Sequence, residues 1–179
     1  MKTFKELLIE LSACKDAIIW ASNKTIEEVV KECHRGDWFL WLGRKINLPL
    51  KEITLAKARC AKTVIHLMKD ERSIKAVEVA ERFGLGLATR EELDAAASYA
   101  SAAAYASAAY AASAAAAAAA AAAYAAYYAA YTTAYAADSA AAYIAYAKKE
   151  NQKQTADICK EILGELIINK VNELLNQTK

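Results

Sequence analysis

The chain has 179 residues, enough for one domain with its own core. Its 23 Lys and Arg nearly cancel 21 Asp and Glu, which argues against a nucleic-acid partner or an anionic membrane surface. One proline and five glycines are too few turn residues for an all-β fold, so an all-α protein is expected.

Residues 4–21 read as one amphipathic helix, with Leu7, Leu8, Leu11, Cys14, Ile18 and Ile19 at three- and four-residue spacing. Ser22-Asn23-Lys24 breaks it. Thr25 and Glu28 form a capping-box pattern that opens a second helix through Ile26, Val29, Val30 and Cys33. Asp37 then reads as the N-cap of a helix carrying Trp38, Trp41 and Leu42, with Gly36 either ending the preceding helix or permitting close packing. Asn47-Leu48-Pro49 is a turn. Ile53 to Met68 forms a third main helix, and Ser73 to Phe83 a fourth that ends near Gly84 and Gly86.

Thr89 and Glu92 repeat the capping-box pattern and open a segment of unusual composition. From Ala95 to Ala147 the chain is almost entirely Ala and Tyr, holds all ten tyrosines, and carries Asp138 as its single charge. Alanine loses no rotamer freedom in a helix, so this segment is expected to be helical. A helix so poor in charge needs cover, from the rest of the chain or from a second copy, so a homo-oligomer is expected. Tyr99 and Tyr110 are eleven residues apart, as are Tyr124, Tyr135 and Tyr146, which keeps each set on one stripe; Tyr127, Tyr128 and Tyr131 widen the second. One helix from 89 to 168 would be about 120 Å long, too long for one domain. A hairpin turn is therefore expected at Thr132-Thr133 or Asp138-Ser139. The tail, Gln154 to Leu175, is amphipathic through Ile158, Ile162, Leu166, Ile167, Val171 and Leu174.

The expected architecture is one domain, a compact bundle around a long Ala/Tyr-rich helical hairpin. Residues 1–87 supply charged amphipathic helices, 88–147 the Ala/Tyr-rich core, and 148–179 a closing helix. The uncharged run 114–131 is poor in Leu, Ile, Val and Phe, so it is not expected to span a membrane. The opening residues show no secretory signal. Cys14, Cys33, Cys60 and Cys159 are scattered without metal-ligand spacing and are expected to be buried, reduced thiols in a cytoplasmic protein. No cofactor or metal is expected.

The polar residues with most potential are His34, Arg35, Asp37 and Arg44, gathered around Trp38 and Trp41. His34 beside Asp37 suggests acid–base chemistry only if both share a helix face; a polar helix end is the plainer reading. Tyr124, Tyr128, Tyr131 and Tyr135 are a candidate ligand surface, although core and interface packing is the plainer reading of them.

The run Cys33-His34-Arg35-Gly36-Asp37-Trp38-Phe39-Leu40-Trp41-Leu42 resembles a motif of a bacterial all-α "putative immunity protein" family associated with polymorphic toxin systems. Ala56-Lys57-Ala58-Arg59-Cys60-Ala61-Lys62-Thr63 resembles that family's cysteine-bearing helix. Ala76-Val77-Glu78-Val79-Ala80-Glu81-Arg82-Phe83, followed by Ala88-Thr89-Arg90-Glu91-Glu92-Leu93, resembles the approach to its alanine-rich region, and Gln154-Thr155-Ala156-Asp157-Ile158 its closing helix. The chain departs from the family in having far fewer Arg and Glu within the alanine-rich segment. The resemblance implies a non-catalytic protein that neutralises a toxin by occlusion. The competing expectation is a helical oligomer that sequesters a small ligand, or a phage-encoded inhibitor of a host defence protein on the same scaffold. An ice-binding helix is disfavoured because Thr132 and Thr133 are adjacent instead of regularly spaced.

Overall fold

The computed structural model describes residues 2–67, 71–99 and 133–177; within the last stretch, side chains are described from residue 149. The described residues are helical with no strand. In chain order the helices are α1 (Phe4–Glu10), α2 (Lys15–Ala21), α3 (Ile26–Glu32), α4 (Gly36–Lys45), α5 (Leu50–Lys62), a 3₁₀ turn (Ile65–Leu67), α6 (Glu71–Gly84), α7 (90–99) and α8 (Thr133–Asn176). No described helix is long and apolar enough to cross a membrane.

Local chemistry starts these helices. The Thr3 and Thr25 side chains each accept from the backbone N–H three residues on, and Glu6 and Glu28 reach back to the cap N–H. Thr89 and Glu92 do the same before α7. Local chemistry also stops them. After α1, Ser12 adopts φ +60°, its N–H bonds to the Ile9 carbonyl and that of Ala13 to the Leu8 carbonyl. This is a Schellman closure with serine in the left-handed position usually given to glycine. Asn47 (φ +57°) closes α4, and Gly86 (φ +76°) closes α6, with the same bond pattern. The single helix expected over 4–21 is therefore two, because Ser12 turns the chain where the apolar spacing happens to continue. The helix expected over 53–68 also stops early. The Thr63 hydroxyl donates to the Cys60 carbonyl at 2.7 Å, and tighter bonds of the 3₁₀ type carry the chain onward.

The C-terminal half of α8 is the centre of the described core. Ala156, Cys159, Leu163, Ile167 and Val171, three or four residues apart, are each 0 % exposed. Helices α1, α3, α4 and α5 pack around this stripe, α2 lies on α1, and α6 lies on α5. Two glycines set the spacing. A Cβ on Gly36 would stand 2.8 Å from the Thr155 carbonyl carbon, and one on Gly84 2.6 Å from the Leu55 Cβ. Gly36 thus serves close packing, opening α4 against α8.

The described core consists of residues between 4 and 83 together with 156–171. Where the Ala/Tyr segment is described near its start, Ala95, Ala97, Ser98 and Tyr99 are exposed and only Ala96 is half-buried. Most of it, including the expected hairpin, lies outside the described residues. Asp138-Ser139 is not a turn, since both residues lie inside α8; Thr132 lies outside the described residues. The closing helix is thus the end of a 44-residue helix that begins at Thr133.

Candidate binding cleft

The Schellman turn at Ser12 places α2 beside α1 and brings Trp20 to the first turn of α4. Trp20 and Trp38 meet with ring centroids 5.8 Å apart and planes tilted by 60°. Between α1, α2, α3 and α4 lies a cleft of about 260 Å³. Its floor is apolar, with Phe4, Leu8, Ile26, Val29, Phe39 and Ile167. Trp20, Trp38 and Trp41 line it, and these are all the tryptophans in the chain.

Helix α4 explains how one segment serves both core and cleft. Gly36, Phe39, Leu42 and Gly43 form its buried face. Trp38 and Trp41, one residue off that register, fall on the flank and are half-buried. Phe39 and Leu42 hold α4 to the core, and the tryptophans pack against its edge.

Each tryptophan also has a cation near its ring. The Arg35 guanidinium lies 4.9 Å from the Trp38 ring, Lys24 Nζ 5.1 Å from Trp20 and Lys45 Nζ 5.9 Å from Trp41. All are within reach of the ring quadrupoles. Arg35 donates through Nε to Asp37 Oδ1 at 2.8 Å and through Nη2 to Oδ2 at 2.6 Å, a bidentate pair. This hydrogen bonding holds the Asp37 carboxyl below its ordinary value and raises Arg35 above its own. The pair presents a fixed guanidinium and carboxylate beside an apolar floor.

Arg35, Asp37, Trp38 and Trp41 are thus brought together, but two neighbours are not. His34 lies in the non-helical link 33–35 and is exposed, so it does not share a helix face with Asp37. Arg44 is exposed in the last turn of α4, outside the cleft, where it complements the helix dipole. Asp37 is not the N-cap: Arg35 occupies that position, and the Asp37 carboxylate is held by Arg35. Tyr124, Tyr128 and Tyr131 lie outside the described residues; Tyr135 belongs to α8, but its side chain is not among those described.

Sequence reading missed Trp20 and the small residues Ala13, Cys14 and Ala17 that leave room beside it. The one signal was Ser12, a polar residue inside an apolar pattern. A second, larger depression of about 480 Å³ lies over Lys2, Glu10, Lys45 and Lys170. Its cations are already engaged: Lys2 by Glu10, Lys170 by Glu173 and Lys45 by the Trp41 ring.

Two cysteine expectations also change. Cys14 is exposed and Cys60 only partly buried, whereas Cys33 and Cys159 are buried. Cys60 and Cys159, remote in sequence, are neighbours in space, with sulfurs 3.7 Å apart. All four are free thiols. Among the described residues, no group of three or more His, Cys, Asp or Glu is placed to hold a metal. Compared with known families, curated proteins and solved structures, the chain matches none.

Proposed function

We propose that the protein is a non-catalytic binding protein of the immunity type, which occludes a protein toxin by seating one of its apolar side chains between Trp20, Trp38 and Trp41. The observation that carries this reading is the cleft itself: an apolar floor walled by three tryptophans, with a bidentate Arg–Asp pair at its edge. Trp and Arg dominate the energy of protein interfaces, where they bury much area and can still hydrogen-bond. Volume separates this reading from ligand sequestration. At about 260 Å³ the cleft falls below the roughly 300–1,000 Å³ of small-molecule pockets, which suits one inserted side chain better than a whole ligand. The segment 33–42, which carries the family resemblance, also forms much of the wall. Contact with a second copy through the Ala/Tyr segment belongs to the same proposal, and light scattering on the purified chain tests it.

The test is co-expression with a toxic polypeptide encoded in the adjacent gene. Wild type should restore growth, co-purify with the toxin and change its tryptophan fluorescence on mixing. Ala13→Phe, which fills the cleft from the α1–α2 link, should melt like wild type and lose all three effects. A filled-cleft variant that still protects refutes the reading. So does a wild-type cleft that takes a small apolar ligand and no polypeptide.

A further inference from the structure

The Cys60–Cys159 contact has no part in the cleft. Cys60 sits near the C-terminal end of α5, and Cys159 in the buried stripe of α8, 99 residues later. Both helices are held in place where the sulfurs meet. Arg59 of α5 pairs with Glu161 of α8 at 3.6 Å, and Asn151 Nδ2 donates to Thr63 Oγ1 at 2.9 Å. Each thiol also has a backbone acceptor: Cys60 donates to the Thr155 carbonyl at 3.6 Å and Cys159 to that of Gly36 at 3.5 Å. The two sulfurs are thus aimed into one small space. Reaching the ~2.05 Å of an S–S bond closes the observed 3.7 Å gap by about 1.7 Å.

We propose that Cys60 and Cys159 are a thiol–disulfide exchange pair, in which a low-molecular-weight disulfide oxidises them to a cross-link between α5 and α8. Cys60 is the half-buried member and meets the reagent first; Cys159 is enclosed and resolves. The Cys60 thiol loses its proton to solvent, and the thiolate attacks one sulfur of the small disulfide. A mixed disulfide forms at Cys60, and the first small thiolate leaves and takes up a proton. Cys159 then gives up its proton, its sulfur attacks the Cys60 sulfur, and the second small thiol departs. Two protein thiols are oxidised to one disulfide, and one small disulfide is reduced to two thiols. The difference in enclosure favours this order, since the half-buried Cys60 ionises against less desolvation than the buried Cys159. The bond closes a covalent loop from residue 60 to residue 159, which includes α6, α7 and the whole Ala/Tyr segment.

The experiment equilibrates the full-length Cys14→Ser chain with graded ratios of reduced and oxidised glutathione, followed by acid quench, alkylation and peptide mass mapping. One Cys60–Cys159 peptide pair is expected, with Cys33 alkylated only after denaturation. Closing a loop of this length should raise the melting midpoint by roughly 5–15 °C. Cys159→Ser should stop at glutathione on Cys60, and Cys60→Ser should form no cross-link. A brief alkylation pulse on the unoxidised chain should label Cys60 before Cys159, which tests the order of attack even if Cys159→Ser fails to fold. No Cys60–Cys159 pair at the most oxidising ratio, a link through Cys33, or a lowered midpoint overturns the proposal. Labelling of Cys159 first overturns the assigned roles.

Discussion

The buried stripe of α8 and the wall of the cleft are both apolar, yet they are built from opposite residue sizes. The stripe uses Ala156, Cys159, Leu163, Ile167 and Val171, all fully enclosed. The wall uses the three tryptophans, the largest side chains in the chain, and leaves each half-exposed. Small and branched side chains let neighbouring helices come close around one axis, so they take the centre. Tryptophan is too bulky for that space and remains where one face packs and the other can meet a partner. Size therefore does not rank these residues by their part in stability. Enclosure does.

The largest effect that tests this contrast is Leu163→Ala. It empties a site walled on every side, and roughly 2–5 kcal/mol should be lost in urea denaturation. A loss below about 1 kcal/mol would mean that α8 is not the centre, since only a collapsible, peripheral site is so forgiving.

Gly36→Ala comes next. The new Cβ would meet the Thr155 carbonyl carbon at 2.8 Å and its oxygen at 2.9 Å, and backbone cannot swing aside. A cost of about 1–3 kcal/mol is expected. Gly43→Ala is the control within the same helix. Its one tight contact would be the Leu48 Cδ1 at 3.3 Å, a side-chain end that can shift, with Ile53 Cγ1 and Leu163 Cδ1 at ordinary contact distance, while alanine gains helix propensity of up to about 1 kcal/mol. Gly43→Ala should therefore stay near wild type; equal damage at both positions would remove close approach at Gly36 as the reason.

Trp41→Ala sharpens the comparison from the other side. A fully buried aromatic costs about 3–5 kcal/mol on truncation, and half-burial should bring this to about 1–2 kcal/mol. The variant should remain folded, with a normal circular dichroism spectrum and weakened binding to the proposed partner. Global unfolding would return Trp41 to the core.

The smallest effect is electrostatic. Asp37 has a folded pKa below its unfolded value, so its stabilisation is complete above the unfolded value of about 3.9 and is lost as pH falls toward the folded one. Both partners are substantially exposed, so no more than about 1 kcal/mol is at stake. Asp37→Asn should flatten the stability profile below about pH 4 and leave it unchanged in shape at neutral pH. A variant whose acid profile matches wild type would mean that the Arg35 contact is not formed in solution.

Much of the helical framework was readable because its causes are local. Thr25 with Glu28 and Thr89 with Glu92 announce helix starts through bonds that span three residues. Asn47 and Gly86 announce ends through the backbone freedom of Asn and Gly. Ser12 was not readable, because serine rarely takes the left-handed position and the apolar spacing runs on through it. The error mattered: with 4–21 as one helix, Trp20 does not reach Trp38. Half of the site, Arg35, Asp37, Trp38 and Trp41, was visible as one cluster within seven residues. The α1–α2 half was not.

By itself, then, the sequence determined an all-α chain, its capped helix starts and the polar–aromatic cluster at the head of α4. Each rests on periodicity or on hydrogen bonds reaching no more than four residues. Only tertiary structure decided that the closing helix is the central one, that Trp20 meets Trp38, and that Cys60 meets Cys159. Those pairings cross 18 and 99 residues, over which no local bond carries information. They follow from helices packing around one enclosed stripe of α8, which leaves the three tryptophans half-buried at its rim.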